Sequence, residues 1–272
     1  MLHLRTFFAA LIACLFCTAL HAAAPSPAQP LSIGETWTIH SAALGETRRI
    51  NVYVPPGAPA NTPLPVLYMP DGGLHEDFLH IAGLLQVGAG NGTLRPLILV
   101  GIENTERRRD LTGPTDNPED RKIAPRVGGS AAFRTFIRSE LIPQVEQRYR
   151  VTRERAIVGE SLGGLFVVET WMLEPGLFDS YIAVDPSLWW NHGRLAQQMR
   201  TRPPAASAGK LLHIAASADG RPSDGAAFAA GLEQRGLRVS YDEWPGETHA
   251  TVFHPAALKA FRAAFKPAAV SP

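Results

Sequence analysis

Short, continuous apolar runs recur through the middle of the chain, and they predict strands that are buried on both faces of a sheet. Such runs are typical of parallel sheets, whose two faces are both covered by helices. The runs are LPVLYMP (64–70), RPLILVGI (95–102), ERAIVGE (154–160), DSYIAVD (179–185) and KLLHIAAS (210–217), followed by a final strand, RVSYDEWP (238–245). Two earlier segments, 35–42 and 46–55, alternate polar and apolar residues and predict an antiparallel pair.

Segments with helical periodicity separate these strands. They span residues 75–86, 131–149, 162–173 and 225–236, and a closing helix is predicted over 254–265. Strands that alternate with helices predict a mostly parallel, doubly wound α/β sheet with antiparallel N-terminal strands. Neither an internal repeat nor a long low-complexity linker interrupts the pattern. We therefore expect one α/β domain over residues 35–268.

The first 22 residues have a different character, which predicts a secretory signal peptide. Arg5 supplies a positive start, residues 7–20 form an apolar run, and residues 22–24 are small. The run is too short to span a bilayer. We expect cleavage near Ala23, a leader segment over 23–34, and a periplasmic or secreted protein.

Cysteine content and charge narrow the function classes. The two cysteines, Cys14 and Cys17, both lie in the predicted signal, so the remaining chain can use no thiolate as a nucleophile or ligand. The whole chain has a net charge of +1 at pH 7, and no basic run indicates nucleic acid. We expect a small-molecule partner, and the sequence indicates neither a membrane span beyond the signal nor an oligomeric state.

A serine flanked by two glycines, Gly159-Glu160-Ser161-Leu162-Gly163, is the main candidate for chemistry. It follows the buried run at 154–160 and directly precedes the helix predicted over 162–173. This strand–turn–helix setting is the one that a nucleophile elbow requires, because the tight turn excludes side chains at the glycine positions. The alternative is a serine that caps the helix. The setting favours Ser161 as a nucleophile.

A serine nucleophile needs a base, and the loop after the last predicted strand supplies His249. His254 lies where the closing helix begins and suits a capping or surface position. The orienting acid is expected after the preceding strand, which indicates Asp219, with Asp224 as the second choice. The resulting order, serine then acid then histidine, is the α/β-hydrolase order.

An oxyanion hole is also required, because the tetrahedral intermediate concentrates negative charge on one oxygen. The backbone N–H of Leu162, directly after the nucleophile, is one expected donor. The second is expected in the turn after the third strand, where Gly73 allows close approach and Gly72 is its neighbour. A plain Asp-Gly-Gly turn is the alternative.

Five ordered motifs together resemble the putative-esterase family of α/β-hydrolases. They are VLYMPDGG, VGIENTERRRDLTGPTD, VGESLGGLFVVE, VDPSLWWN and PGETHATV. This family includes the bacterial ferric-siderophore (enterochelin-type) esterases and is related to esterase D and the mycolyltransferases. The resemblance covers residues 35–266 and implies that Ser161 is the nucleophile, His249 the base and Gly73 an oxyanion donor. It also implies a variable acid position, including Ser–His dyads.

The chain departs from the siderophore enzymes beside the nucleophile and in the turn after the third strand. Glu160 stands where those enzymes usually have histidine, and the turn reads Pro-Asp-Gly-Gly where they usually place an amide. Arg109, in the long loop after the fourth strand, is a candidate ligand for an anionic or catecholate group. Trp189 and Trp190 follow the sixth strand, and we expect one to line an aryl pocket and the other to pack under the loop.

These residues favour an exported serine esterase that forms an acyl-enzyme without a metal or organic cofactor. Two alternatives stay open: transfer of the acyl group to an alcohol, and a binding protein that has lost catalysis. The second of these is disfavoured because Ser161 and His249 are both present.

Overall fold

A computed structural model describes residues 27–58, 61–201, 209–220, 222–233 and 238–267. The chain divides into two units at Ser32. Residues 27–32 form neither helix nor strand. The second unit begins at Ile33 and holds the sheet and the helices. The predicted signal peptide lies outside the described residues.

Eight strands form one sheet in the order β1-β2-β4-β3-β5-β6-β7-β8. Strand β2 runs antiparallel to both of its neighbours, whereas every pairing from β4 to β8 is parallel. The predicted mostly parallel α/β sheet with antiparallel N-terminal strands is confirmed. The strands are β1 (Glu35–Ser41), β2 (Glu46–Tyr53), β3 (Leu64–Pro70), β4 (Ile98–Ile102), β5 (Val151–Glu160), β6 (Ser180–Val184), β7 (Leu211–Ser217) and β8 (Arg238–Trp244).

Helices cover the two faces of this sheet, and several of them were not indicated by the sequence pattern. The short helices α2 and α3 lie in the long segment after β4, and α7 begins with a kink of residues in the left-handed region. The helices are α1 (Phe78–Gly90), α2 (Arg107–Asp110), α3 (Pro118–Lys122), α4 (Ser130–Phe136), a π-helical turn (Ile137–Leu141), α5 (Ile142–Arg148), α6 (Leu162–Leu173), α7 (Trp190–Thr201), α8 (Pro222–Glu233) and α9 (Phe253–Ala264). None of the helices in the described part of the chain has the length and apolar character that a membrane crossing requires.

Two hydrophobic cores, one on each face of the sheet, explain why the strands are apolar throughout. In β3, Val66 and Tyr68 belong to one core, whereas Leu67 and Met69 belong to the other. Successive side chains of a strand point to opposite faces, so a strand covered on both sides needs an apolar residue at every position. Helices α4 to α6 contribute to the first core, and α1 and α9 contribute to the second.

The parallel strands bring several loops to one edge of the sheet. Strands β3 to β8 all end at this edge, so the segments that follow β3, β5, β6, β7 and β8 start there. Ligands of open α/β sheets bind outside the carboxyl ends of the strands. The candidate residues for catalysis lie in these segments.

Candidate active site

Ser161 lies between β5 and α6 in a strained backbone conformation, with φ 57° and ψ −118°. Its N–H donates to the carbonyl of Val184 on β6 at 3.0 Å, which ties the turn to the sheet. A Cβ on Gly159 would lie 2.5 Å from the carbonyl carbon of Gly163, so a side chain at position 159 is excluded by backbone. A non-glycine residue at positive φ costs free energy and persists only where its surroundings fix it. The geometry is that of a nucleophile elbow.

His249 lies in the loop between β8 and α9, and its imidazole contacts a buried carboxylate. Its Nδ1 atom lies 2.8 Å from Oδ2 of Asp185. A carboxylate oxygen can only accept, so Nδ1 carries the hydrogen and Nε2 of the neutral ring is left as the basic nitrogen. The backbone N–H of His249 donates to Oδ1 of Asp219 at 2.7 Å. Both the ring and the backbone of this histidine are therefore held by carboxylates.

Asp185 follows β6 directly, and its side chain is fully buried. Its φ of 46° turns the chain at the end of the strand. Ser217, the last residue of β7, donates to this carboxylate from its backbone N–H at 3.0 Å and from its hydroxyl at 2.6 Å. Together with His249, these contacts satisfy a buried charge that would otherwise be unfavourable.

The sequence analysis expected Asp219 to orient the imidazole, and the structure gives that contact to Asp185. Asp219 is exposed and accepts a hydrogen bond from the His249 backbone, and its Oδ1 lies 2.8 Å from the Ser217 hydroxyl oxygen. It thus binds the backbone of the histidine and not its ring. The physical reason is that β6 and β7 are neighbours, so both strands deliver a carboxylate to the same place. Asp224 lies in α8, and its side chain is outside the described residues.

The contact between Asp185 and His249 lowers the pKa of the aspartate and raises the pKa of the histidine, so both shifts favour the charged forms. Burial raises the pKa of Asp185, but the hydrogen bonds from His249 and Ser217 outweigh burial and leave it below its ordinary value. The hydrogen bond to Asp185 raises the pKa of His249, against the effect of partial burial. A carboxylate that stays ionised stabilises the imidazolium that forms when the ring takes a proton.

Glu160, directly before the nucleophile, has a perturbed pKa. Burial raises the pKa of its carboxyl to about 7, although the positive charges of His249 and Arg107 oppose this shift. The negative charge of Glu160 in turn raises the pKa of His249. Perturbed groups of this kind cluster at functional sites.

A cavity of about 380 Å³ lies over Ser161, and His249 and Asp185 line the same space. Its wall is largely apolar, with Leu188 and Trp189 among the lining residues. None of the described residues that line this cavity is a lysine or an arginine. The Oγ atom of Ser187 lies 3.4 Å from Oγ of Ser161, so a second hydroxyl lies beside the candidate nucleophile.

The two tryptophans after β6 take different positions. Trp189 lines the cavity and is 45% exposed. Trp190 is buried and donates from its indole N–H to the carbonyl of Gly113 at 2.9 Å. One ring therefore faces the site, and the other fastens the segment after β4 to α7.

The expected oxyanion donors lie on the two loops predicted for them. Leu162 begins α6, and the first N–H groups of a helix have no intrahelical acceptor. The N–H of Gly73 donates to Oε2 of Glu76 at 2.6 Å. Gly72 has a different role, because a Cβ there would lie 2.3 Å from Cα of Gly101 in β4. Thus Gly72 permits close packing, and the Gly73 amide is bound by a carboxylate of its own turn.

Arg109, expected as a substrate ligand, is held by carboxylates away from this cavity. Its side chain is 14% exposed, and its guanidinium donates to Asp110 at 2.7 Å and to Glu46 at 2.7 Å. Hydrogen bonds from Arg109, Thr105 and Arg48 lower the pKa of the Glu46 carboxyl to about 2, and the bond from Arg109 has the largest effect on this pKa. These contacts fix the segment after β4 against β2.

Arg107, two residues earlier, acts electrostatically on Glu160, the residue directly before Ser161. It forms a two-pronged ion pair with Asp71, with Nε to Oδ1 at 2.6 Å and Nη2 to Oδ2 at 2.9 Å. Asn104 bridges the carboxylates of Asp71 and Glu76 at 2.5 and 2.8 Å. This network fixes the turn that carries the Gly73 amide. The sequence analysis singled out Arg109 and gave Arg107 no role.

Comparisons with known proteins agree with this geometry. The family model described as "Putative esterase" matches residues 41–245. The chain belongs to the putative-esterase family. A relative, the ferri-bacillibactin esterase BesA of Bacillus subtilis, is 29% identical over 254 residues, which cover 82% of this chain and 86% of BesA.

Solved structures extend the likeness to the fold. The IroE-like serine hydrolase of Shewanella oneidensis has a TM-score of 0.76 and 28% identity, and the match covers 86% of this chain and 80% of that protein. The siderophore hydrolase EstA of Aspergillus nidulans has a TM-score of 0.75 at 23% identity, covering 89% of this chain and 97% of EstA. The predicted α/β-hydrolase fold is confirmed, and the relatives support a serine ester hydrolase.

Sequence reasoning missed Asp185 as the partner of the histidine ring, Ser217 as a partner of Asp185, and Glu76 as a partner of Gly73. A signal for Asp185 was present, because it directly follows the buried run at 179–185 within the motif VDPSLWWN. Side chains at the carboxyl end of a parallel strand face the site. No comparable signal distinguishes Ser217 from the other serines of the chain.

Proposed function

We propose that this protein hydrolyses carboxylic esters through an acyl-enzyme on Ser161, with His249 as the general base and Asp185 as the acid that orients it. The observation that carries the proposal is the 2.8 Å contact between His249 and the fully buried Asp185, in a cavity that Ser161 also lines. In this assignment Asp185 takes the role that the sequence analysis gave to Asp219. Asp219 then positions the backbone of the catalytic loop.

The first half of the reaction forms the acyl-enzyme. Nε2 of His249 accepts the hydroxyl proton as Oγ of Ser161 attacks the ester carbonyl carbon. The carbonyl oxygen becomes an oxyanion, which the N–H of Leu162 stabilises at the start of α6. The imidazolium then gives its proton to the leaving alcohol as the carbon–oxygen bond breaks. In the second half water attacks the acyl carbon while His249 removes its proton, and the imidazolium returns that proton to Oγ of Ser161 as the acyl–serine bond breaks.

The amide of Gly73 is the second oxyanion donor in this proposal, and its use requires a small rearrangement. In the structure this N–H donates to Glu76 at 2.6 Å. A carboxylate and an oxyanion cannot share one hydrogen, so Glu76 must release the amide when the oxyanion forms. Asn104 donates to the other oxygen of the same carboxylate at 2.8 Å.

The substrate class follows from the cavity wall and the relatives. BesA is a ferri-bacillibactin esterase by name, and Trp189 offers an exposed aromatic face at the site. An aryl ester, or a siderophore-type ester that carries aryl groups, fits such a wall. The carboxylates of Asp185 and Asp219 line the cavity, so it favours a neutral ester over a strongly anionic iron complex.

Hydrolysis assays test this proposal. Purified protein is incubated with p-nitrophenyl acetate, with aryl esters, and with a catecholate trilactone in its iron-free and ferric forms. We expect turnover that Ser161→Ala abolishes, and faster cleavage of the iron-free trilactone. Equal turnover by Ser161→Ala, or no turnover of any ester, would refute the esterase proposal. Faster cleavage of the ferric form would refute only the preference for neutral esters.

Export to the periplasm is part of the proposal and rests on the sequence of residues 1–22 alone. Acyl transfer to an alcohol is separated from hydrolysis in the same assay. Addition of an alcohol acceptor gives a new ester only if transfer competes with water.

A further inference from the structure

Two histidines and an aspartate that the proposed reaction does not use converge between α1 and α9. We call Asp77, His80 and His254 the His–Asp cluster. Nδ1 of His80 lies 3.2 Å from Oδ1 of Asp77, and Nε2 of His254 lies 3.1 Å from the same oxygen. One candidate ligand atom from each residue falls within 4.8 Å of the other two. The three donor atoms thus lie close enough together to be candidate ligands of one ion.

Local structure explains why these side chains meet. Asp77 directly precedes α1 and His80 lies three residues later, so the two share one face of that helix. His254 is the second residue of α9, which packs beside α1 in the same hydrophobic core. The two imidazole rings contact each other edge to face, with centroids 4.9 Å apart. The cluster therefore joins two helices that are distant in sequence.

The donor set and spacing suit a transition-metal ion. Zinc binds imidazole nitrogen and carboxylate oxygen at about 2.0–2.2 Å in tetrahedral geometry, which places neighbouring ligand atoms about 3.3 Å apart. The two nitrogen–oxygen distances of the cluster, 3.2 and 3.1 Å, already have this value. Only the two nitrogens need to approach each other, and both rings are partly exposed, with 58% and 41% of their side chains accessible.

The hydrogen-bonding state of the rings is also compatible with metal binding. A carboxylate oxygen only accepts, so both facing ring nitrogens carry hydrogen in their contacts with Asp77. A neutral imidazole can move that hydrogen to its other nitrogen and offer a lone pair in its place. The negative charge of Asp77 then contacts a cation directly, where it now accepts from two ring N–H groups.

We propose that Asp77, His80 and His254 bind a divalent transition-metal ion of the zinc class, with water completing the coordination. The ion holds the N-terminal ends of α1 and α9 together. It takes no part in the ester hydrolysis proposed above and is independent of it. The metal site is nonetheless linked to the candidate active site, because the Asp77 N–H donates to the carbonyl of Asp71 in the turn that carries Gly73.

A cobalt titration of untagged protein tests the proposal, since Co²⁺ reports its coordination by visible absorption. We expect one equivalent of Co²⁺ to give visible d–d bands, and Zn²⁺ to displace it. His80→Ala is the decisive variant because its side chain is more than half exposed, so the fold should survive. It should raise the Co²⁺ Kd by at least about tenfold, since loss of even an indirect ligand partner weakens metal binding by 10–100-fold.

His75→Ala is the matched control. His75 is exposed in the same segment before α1 and is not a member of the cluster. This variant should bind Co²⁺ like the wild type. His254→Gln and Asp77→Asn should bind more weakly, and circular dichroism shows whether each is folded. Zn²⁺ should raise the melting temperature of the wild type and of His75→Ala, but not of His80→Ala.

Three results would overturn the proposal. One is the absence of cobalt bands at one equivalent. Another is an unchanged Kd in folded His80→Ala, which would place the ion elsewhere, for example on His249. The last is an equal loss in His75→Ala.

Discussion

The ring of His249 reaches across 64 positions of sequence to Asp185, with 2.8 Å between Nδ1 and Oδ2. The two residues follow β8 and β6, and the strand between them, β7, ends in the serine that also binds the carboxylate. Three loops at one edge of the sheet thus share a single buried charge. This relationship assigns the roles in the proposed site and gives the first prediction.

Asp185→Asn should lower kcat by roughly 10²- to 10⁴-fold with little change in KM. An amide in place of the carboxylate favours the wrong tautomer of His249 and no longer stabilises the imidazolium. Asp219→Asn, the control, should reduce kcat by less than about tenfold, because Asp219 contacts only the backbone of the histidine. Steady-state kinetics on p-nitrophenyl acetate measure both. The opposite ranking would return the acid role to Asp219.

The pH dependence of kcat/KM should report the interaction between His249 and Glu160. The base form of His249 is the neutral ring, and its folded pKa is raised, so activity should rise with pH through a value above the ordinary 6.5. Burial raises the pKa of Glu160 to about 7, so its negative charge is lost as the pH falls through that value. The wild type should therefore show a broad acidic limb, as expected of coupled groups.

Glu160→Gln removes that charge and should move the limb to lower pH and make it sharper. Glu243→Gln, at an exposed position of β8, serves as the control and should leave the profile unchanged. A limb that moves to higher pH in Glu160→Gln would contradict the electrostatic account.

Glycine substitutions should separate the requirements of the elbow from those of an ordinary helix. Gly159→Ala places a Cβ 2.5 Å from the backbone of Gly163 and should destabilise the protein by about 1–3 kcal/mol or more, with loss of activity. Gly83→Ala, inside α1, meets nothing within 4 Å and should stabilise it by about 0.5–1 kcal/mol. Urea unfolding measures both. Equal changes in the free energy of unfolding for the two variants would argue against a strained elbow.

Export should leave a processed N-terminus. If residues 1–22 act as a signal peptide, protein recovered from the periplasm should begin near Ala23 and react with no thiol reagent, because both cysteines lie before that point. N-terminal sequencing and a thiol titration check this. Full-length protein in the cytosolic fraction would contradict export.

The sheet could be predicted from the sequence because burial on both faces leaves a clear pattern. Val66 to Met69 are apolar at every position, and the structure divides them between two cores. Short helices give no such signal: α2 has only four residues. The start of α7 departs from helical angles at Asn191, His192 and Gly193, all with positive φ. Periodicity over a long window cannot detect either feature.

The sequence could predict only those site residues that are marked by their order and setting along the chain. Ser161 and His249 could be proposed from the sequence because an elbow and a late loop histidine have sequence signals. Which aspartate contacts the ring of His249 depends on which of two neighbouring strand ends directs its carboxylate inward. Asp185 is turned inward by a positive φ and held there by Ser217. Asp219, which follows β7, accepts a hydrogen bond from the backbone of the histidine instead. Tertiary hydrogen bonds determine the positions of the two carboxylates, and these bonds cannot be inferred from the sequence.

Active-site labelling tests the central claim, that Ser161 is the nucleophile, most directly. The protein is treated with a fluorophosphonate probe, digested and mapped by mass spectrometry. A single adduct on Ser161 is expected, with its loss in Ser161→Ala and its retention in Ser187→Ala, because the two hydroxyls lie 3.4 Å apart and only Ser161 is on the elbow. An adduct on Ser187 or another serine, with Ser161 unmodified, would contradict the account.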